Sequence, residues 1–170
     1  ANVLSHLEYY LQLVWPELNV NVVSTTEQWA GAAIAGPNSR ALLMKLFPNT
    51  DVSNEALPFM GYKEADLFGI PAKIYRISFS GELAYEVNVE SDYGNFMWEK
   101  IIEVGKEFQI QAYGTEALST LRIEMGHVAG SELDGRTIPH DASLEGLVSK
   151  KKDFIGKRSL SRSAFTKPDR

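Results

Sequence analysis

The sequence predicts an α+β fold, with antiparallel sheet and helices packed on it. Strand-like runs come consecutively instead of alternating one for one with helices, and helical-period stripes gather between them. The third observation is a loose pairing of two strand–strand–helix modules, roughly 19–47 and 62–106. Helices on one face of such a sheet would resemble a split βαβ arrangement.

The elements follow in order. In VLSHLEYYLQLVW, the residues Val3, Leu4, Leu7, Tyr10, Leu11 and Val14 recur at helical spacing, predicting a helix over about 2–14 that stops before Pro16. NVNVVST alternates and WAGAAIAG is small and apolar, predicting two strands paired around Thr25–Gln28. After the Gly36-Pro37-Asn38 turn, Ser39 to Phe47 reads as a helix with Leu42, Leu43 and Leu46 inward. A polar loop from Pro48 to Leu57 leads into KEADLFGIPAKIYRISFSGELAYEVNV, which predicts three strands with turns at Gly69-Ile70-Pro71 and Ser80-Gly81. Phe96, Trp98, Ile101, Ile102 and Val104 mark a further helix, with Gly105 as its expected C-cap. TEALSTLRIEMG predicts another, N-capped at Thr115, with Leu118, Leu121 and Met125 inward. Beyond Gly126 the pattern breaks into turns: GSELDGR, IPHDA, KKKDFIGKRSL.

Bulk properties narrow the function classes. A chain of 170 residues holds one good-sized core, and 44% hydrophobic with 23% charged residues is ordinary globular composition. A net charge of −5 supplies no positive field to recruit phosphates, so no nucleic-acid partner is expected, and Lys150-Lys151-Lys152 reads as a solvated turn. Without cysteine there are no disulfides and no thiolate metal sites, which fits a reducing compartment. No apolar run is long enough for a membrane span and no signal-peptide pattern occurs. The chain opens at Ala1 without methionine and ends in polar SAFTKPDR, which reads as a piece of a longer polypeptide.

Few motifs carry chemistry. His6, His127 and His140 have no metal-pair spacing, and no metal site is assigned. GxSxG, GxGxxG and GxxxxGK[ST] are absent, removing the usual nucleophile elbow and nucleotide loops. ELAYEVNVE does carry information. Alternation puts Leu83, Tyr85, Val87 and Val89 on one face and Ala84, Glu86, Asn88 and Glu90 on the other, with Glu82 joining the second register only if the strand starts at the turn. The pattern leaves two readings of Glu86. It decorates a wet sheet face, or its two coplanar oxygens accept paired N–H donors such as the edge of a pterin or purine. Arg122 likewise has two readings, as partner of a neighbouring acid or as a ligand contact, and lies about 200° around the helix from Glu124.

ISFSGELAYEVNV, YGTEALSTLRIEMG, GSELDGRTIPHDASL and KKKDFIGKRSL, in this order, resemble the folate-binding aminomethyltransferase family, which includes the T-protein of glycine cleavage. SFSGELAYE, YGTEA, TIPHD and VSKKKDFIGKRSL, with WPEL and TEQWA near the start, are closer in wording to the C-terminal region of the alpha subunits of bacterial heterotetrameric sarcosine oxidases. The resemblance covers nearly the whole chain. It implies a tetrahydrofolate site with Glu86 on the pterin, and Glu82, Tyr85, Tyr113 and Arg122 as neighbours. It also implies a cytoplasmic enzyme in which a flavin elsewhere oxidises sarcosine. This domain would capture the one-carbon unit of the derived imine as 5,10-methylenetetrahydrofolate beside the other oxidase subunits. FAD, FMN and NAD are expected only in parts of the enzyme outside this chain, and the isolated piece is expected to be inactive.

Two departures qualify the likeness. The arginine of the T-protein GLGARD segment falls at Leu118, and Ser5 or a neighbour stands where related chains carry an aspartate, so no catalytic residue is assigned. The expected organisation is a folate-binding domain over 1–160 and a linker over 161–170 to a further C-terminal domain. The alternatives are a free-standing folate-binding regulatory or repair module, an aminomethyltransferase of the glycine-cleavage type, or a segment serving subunit assembly.

Overall fold

A computed structural model describes residues 2–162 and Phe165. The chain divides into two compact units, Ala1–Tyr113 and Gly114–Arg170. Most of the segment read as a linker, residues 163, 164 and 166–170, lies outside the described residues.

The first unit is built on one four-stranded antiparallel sheet, in the order β1-β4-β3-β2. Its strands are β1 (Trp29–Ala35), β2 (Tyr62–Leu67), β3 (Ile70–Tyr75) and β4 (Ala84–Glu90). Two helices, α2 (Ser39–Leu46) and α3 (Gly94–Gly105), pack on it. The α+β expectation holds. β1 and β2, the strands joined through α2, run in opposite directions with β4 and β3 between them, so the split βαβ arrangement is not formed.

The core follows from the two periodicities. Leu42, Leu43 and Leu46 come from the inner stripe of α2, and Met97 and Ile101 from α3. They meet Ile34, Ala72, Ile74, Tyr85, Val87 and Val89, the alternate residues of three strands. Each large apolar side chain so buried contributes roughly 1.5–3 kcal/mol. Val52 and Leu57 also enter this core, although the loop that carries them is polar overall.

Several boundaries differ from expectation. The helix over 2–14 forms as α1 (Asn2–Tyr9), continued by a π-helical turn at Tyr10–Val14, but none of its residues is buried. Asn19 to Thr25 forms no strand, and Val23 is 75% exposed. Its alternation has no partner surface in this unit, and the outer edge of β1 carries no ladder. The β2–β3 hairpin turns at Phe68-Gly69, whose φ values of 54° and 93° give the mirror-image turn that suits strand twist. β3 ends at Tyr75 and β4 begins at Ala84, so Arg76–Leu83 is a loop and Ser80-Gly81 is no tight hairpin. That loop is latched at its end: the Leu83 carbonyl accepts from Gly36 N (2.9 Å) and Ser39 Oγ (2.9 Å).

Gly105 is not a left-handed cap. Its φ is −72°, and Gln109 takes the left-handed position at 57°. Glycine is needed there because a Cβ would stand 2.6 Å from Ile110 Cγ2.

The second unit contains α4 (Thr115–Glu124), a run of turns and α5 (Lys157–Leu160). Gly114, not Thr115, occupies the N-cap of α4, and Gly126 (φ 74°) follows its end. The apolar stripe of α4 is not sunk in a core. Its buried residue is Arg122, while Met125 is exposed. Among the described residues, no helix is long and apolar enough to cross a membrane.

Candidate functional site

The pleat of β4 decides what faces where. Tyr85, Val87 and Val89 point into the core at 0% exposure, and Glu86 and Asn88 project half-buried from the opposite face. Strand register then arranges that open face in rows. One row runs Ala33, Glu86, Tyr75, Tyr62 across β1, β4, β3 and β2. The next runs Gly31, Asn88, Lys73, Glu64.

Three features shape this face. The β1 side is low, because Gly31 and Ala33 carry almost no side chain. Tyr75 stands directly across from Glu86 and packs on Tyr62 with ring centroids 5.1 Å apart. The Lys73 ammonium lies 3.8 Å from the centre of the Trp29 ring, so these two side chains, from β3 and β1, meet above β4. A cavity of about 240 Å³ counts Trp29, Glu64, Pro71, Lys73 and Glu90 among its walls.

Among the described residues, the Glu86 carboxylate makes no hydrogen bond or ion pair. A half-buried carboxylate with both oxygens uncommitted can accept two parallel donors from a planar ring edge. Glu86 is not among the walls of the cavity beside Trp29 and Lys73.

The other candidate residues lie elsewhere. Tyr85 is neighbour to Glu86 in sequence and turned away from it in space. Its hydroxyl, on the core side of the sheet, accepts from Arg40 Nε (2.8 Å), and Arg40 also donates to Asn54 Oδ1 (2.6 Å). Glu82 is exposed in the loop before β4 and outside the strand register. Tyr113 lines a second cavity, about 260 Å³, with Gly36, Pro37, Asn38, Phe108 and Gln111.

Arg122 belongs to the second unit and is committed to an acid there. Its guanidinium donates to both oxygens of Glu132 (2.6 and 3.2 Å), to Ser131 Oγ (3.2 Å) and to the His127 carbonyl (3.1 Å). These Arg122 bonds, followed by those from Ser131 and the Ala129 N–H, hold the Glu132 carboxyl down at about 2, against an ordinary 4.5. At 8% exposure, Arg122 is a buried residue with its charge neutralised locally. His140 Nδ1 lies 4.0 Å from Glu145, and among the described residues no cluster of acids and histidines is arranged to hold a metal.

Asn88 escaped selection in the sequence although the signal was present. The alternation that singles out Glu86 places Asn88 beside it on the same face. Nothing comparable marks Trp29 and Lys73, which come together only through strand order.

The comparisons with known proteins agree with this architecture. The family described as GCVT N-terminal domain matches residues 1–152. The chain is 46% identical over 173 residues to the sarcosine oxidase subunit alpha of Rhizobium meliloti (strain 1021), covering 100% of this chain and 17% of that protein. It is 49% identical over 172 residues to the same subunit of Corynebacterium sp. (strain P-1), covering 100% of this chain and 18% of that protein. It is also 34% identical over 147 residues to the aminomethyltransferase of Chloroherpeton thalassium, covering 85% of this chain and 40% of that protein. The chain thus spans under a fifth of the sarcosine oxidase subunits it resembles. With an antiparallel α+β unit, a polar face on β4 and a family match over residues 1–152, the chain belongs to the GCVT N-terminal domain family.

Proposed function

We propose that this chain holds a reduced folate, tetrahydrofolate, through the pterin ring, as part of a cytoplasmic oxidase of the sarcosine type. Support comes from membership of the GCVT family and from the two sets of relatives, sarcosine oxidase alpha subunits and aminomethyltransferases. The observation that carries the reading is the Glu86 carboxylate, half-buried in mid-sheet with both oxygens uncommitted.

The residues fit the group. A 2-amino-pyrimidinone edge offers two N–H donors in one plane, the complement of a carboxylate. Charge-assisted pairs of this kind are about twice as strong as neutral ones. When bound, tetrahydrofolate supplies the nucleophilic N5 and N10 that take up a one-carbon unit to give 5,10-methylenetetrahydrofolate. The chain's own part is placement: Glu86 fixes the ring edge, and Ala33 beside it leaves room for a flat ring. Fixing a reactant in this way removes the search that a bimolecular encounter requires. Other subunits of such an oxidase would oxidise sarcosine and deliver the imine. Domain limits of 1–160 with a linker beyond belong to the same proposal.

The test is calorimetric titration of the chain with tetrahydrofolate, comparing Glu86→Gln with wild type. One lost charge-assisted pair predicts an affinity loss of roughly tenfold or more. Equal affinity removes Glu86 from the site. A second reading, service in subunit assembly, has its own observation: α1 buries none of its residues, and Leu13 and Val23 beyond it are 70% and 75% exposed. Absence of any tetrahydrofolate binding favours that role.

A further inference from the structure

This inference rests on the reading of Glu86 as the pterin anchor and extends it to the rest of the ring. Glu86 and Asn88 project from the same face of β4, two residues apart. Two strand residues span about 6.6 Å, comparable to a fused two-ring heterocycle measured from edge to edge. A ring whose amino-pyrimidine edge meets Glu86, lying along β4, brings its second ring over Asn88.

Asn88 is free to meet it. Among the described residues its amide makes no hydrogen bond, although the side chain is half-buried and offers both a donor and an acceptor. Its position is set from below. A Cβ on Gly31, its partner on β1, would stand 2.7 Å from Asn88 Oδ1 and 3.5 Å from Asn88 Cγ. The amide therefore lies over the bare Gly31 backbone, and a larger residue there would displace it. Lys73, across from Asn88 on β3, is engaged with the Trp29 ring at 3.8 Å and, among the described residues, donates no hydrogen bond to the amide.

We infer that Asn88 is a second ligand contact on this face, bonding the polar atoms of the ring fused to the pyrimidine, and that Gly31 is the positioning residue that seats its amide. The chemical class selected is a two-ring, nitrogen-containing heterocycle with a 2-amino-pyrimidinone edge, in preference to the single ring alone.

The experiment compares two probes on the 170-residue chain: tetrahydrofolate, and the monocyclic 2-amino-4-hydroxypyrimidine followed by ligand-observed NMR. Asn88→Leu should weaken tetrahydrofolate about tenfold, the scale of one lost hydrogen bond, and leave the monocycle unaffected. Gly31→Ala should move tetrahydrofolate affinity in the same direction with Asn88 still present, and its backbone φ sets no bar to alanine. Glu86→Gln should weaken both probes. If Glu86→Gln weakens both probes while Asn88→Leu changes neither, or changes both alike, the Asn88 assignment is overturned and the anchor stands. If Glu86→Gln spares both probes, the anchor reading itself falls and the Asn88 assignment goes with it. An unfolding midpoint equal to wild type for Asn88→Leu separates ligand contact from a structural role.

Discussion

Gly105→Ala sets two effects against each other, and the distances decide between them. Alanine is the better helix residue by about 1 kcal/mol in a helix interior, and the φ of −72° at position 105 accepts it without strain. Propensity alone predicts stabilisation. The new methyl, however, would lie 2.6 Å from Ile110 Cγ2, 2.9 Å from its Cβ and 3.0 Å from its Cδ1. Carbon atoms settle at about 3.5–4.0 Å, so the isoleucine must retreat by roughly an ångström. It has little freedom to do so. Its N–H donates to the Gly105 carbonyl at 3.1 Å, and a β-branched side chain is stiff about its first torsion. Overpacking of this kind costs about 1–3 kcal/mol, at least as much as the propensity gain. Taking the middle of that range, about 2 kcal/mol, against a gain of about 1, the expected net result is a loss of about 1 kcal/mol. Urea unfolding followed by tryptophan emission measures it cleanly, because Trp15, Trp29 and Trp98 all lie in the first unit. The midpoint should fall at constant slope. In an Ile110→Ala background the cost of Gly105→Ala should vanish or reverse. A Gly105→Ala chain as stable as wild type, with unchanged slope, would refute the steric argument.

Two further outcomes are expected. Tyr85→Phe should lower stability by about 1 kcal/mol through loss of the acceptor for Arg40 Nε, and should leave tetrahydrofolate affinity unchanged; weakened binding at unchanged stability would contradict its core placement. Glu132 is held below its ordinary value, so its contribution is fully present above 4.5 and drains away as pH falls towards about 2. Carboxyl carbon NMR should find its midpoint near 2, and a midpoint at an ordinary glutamate value would remove the Arg122 clasp.

Much of the first unit is legible because its signals are short-ranged. The stripe of Leu42, Leu43 and Leu46 and the alternation of Tyr85, Val87 and Val89 each need only one element to be read, and both are buried as expected. Asn19–Thr25 shows the limit: alternation states a capacity to pair, and pairing needs a neighbour. The Ser80-Gly81 dipeptide misled for a similar reason. Gly81 does take φ 84°, yet it does so within a longer loop whose end is tied to the start of α2. Gly105 resembled a cap by position, while its purpose is the closeness of Ile110 five residues on. At the site, period two exposed Glu86 and separated it from Tyr85. The identity of Arg122's partner was not readable, since Glu132 reaches it only through the turn at Gly126.

The Lys73–Trp29 contact gives this protein a built-in optical reporter. Indole emission responds to a charge held close to the ring, and here an ammonium sits 3.8 Å from its centre, on the face that carries Glu86 and Asn88. Replacing Trp15 and Trp98, 40% and 47% exposed, by phenylalanine leaves Trp29 as the single tryptophan. Any molecule settling across the rows of β4 must then pass beside a dye that the fold itself supplies, and its arrival can be followed in real time without a label.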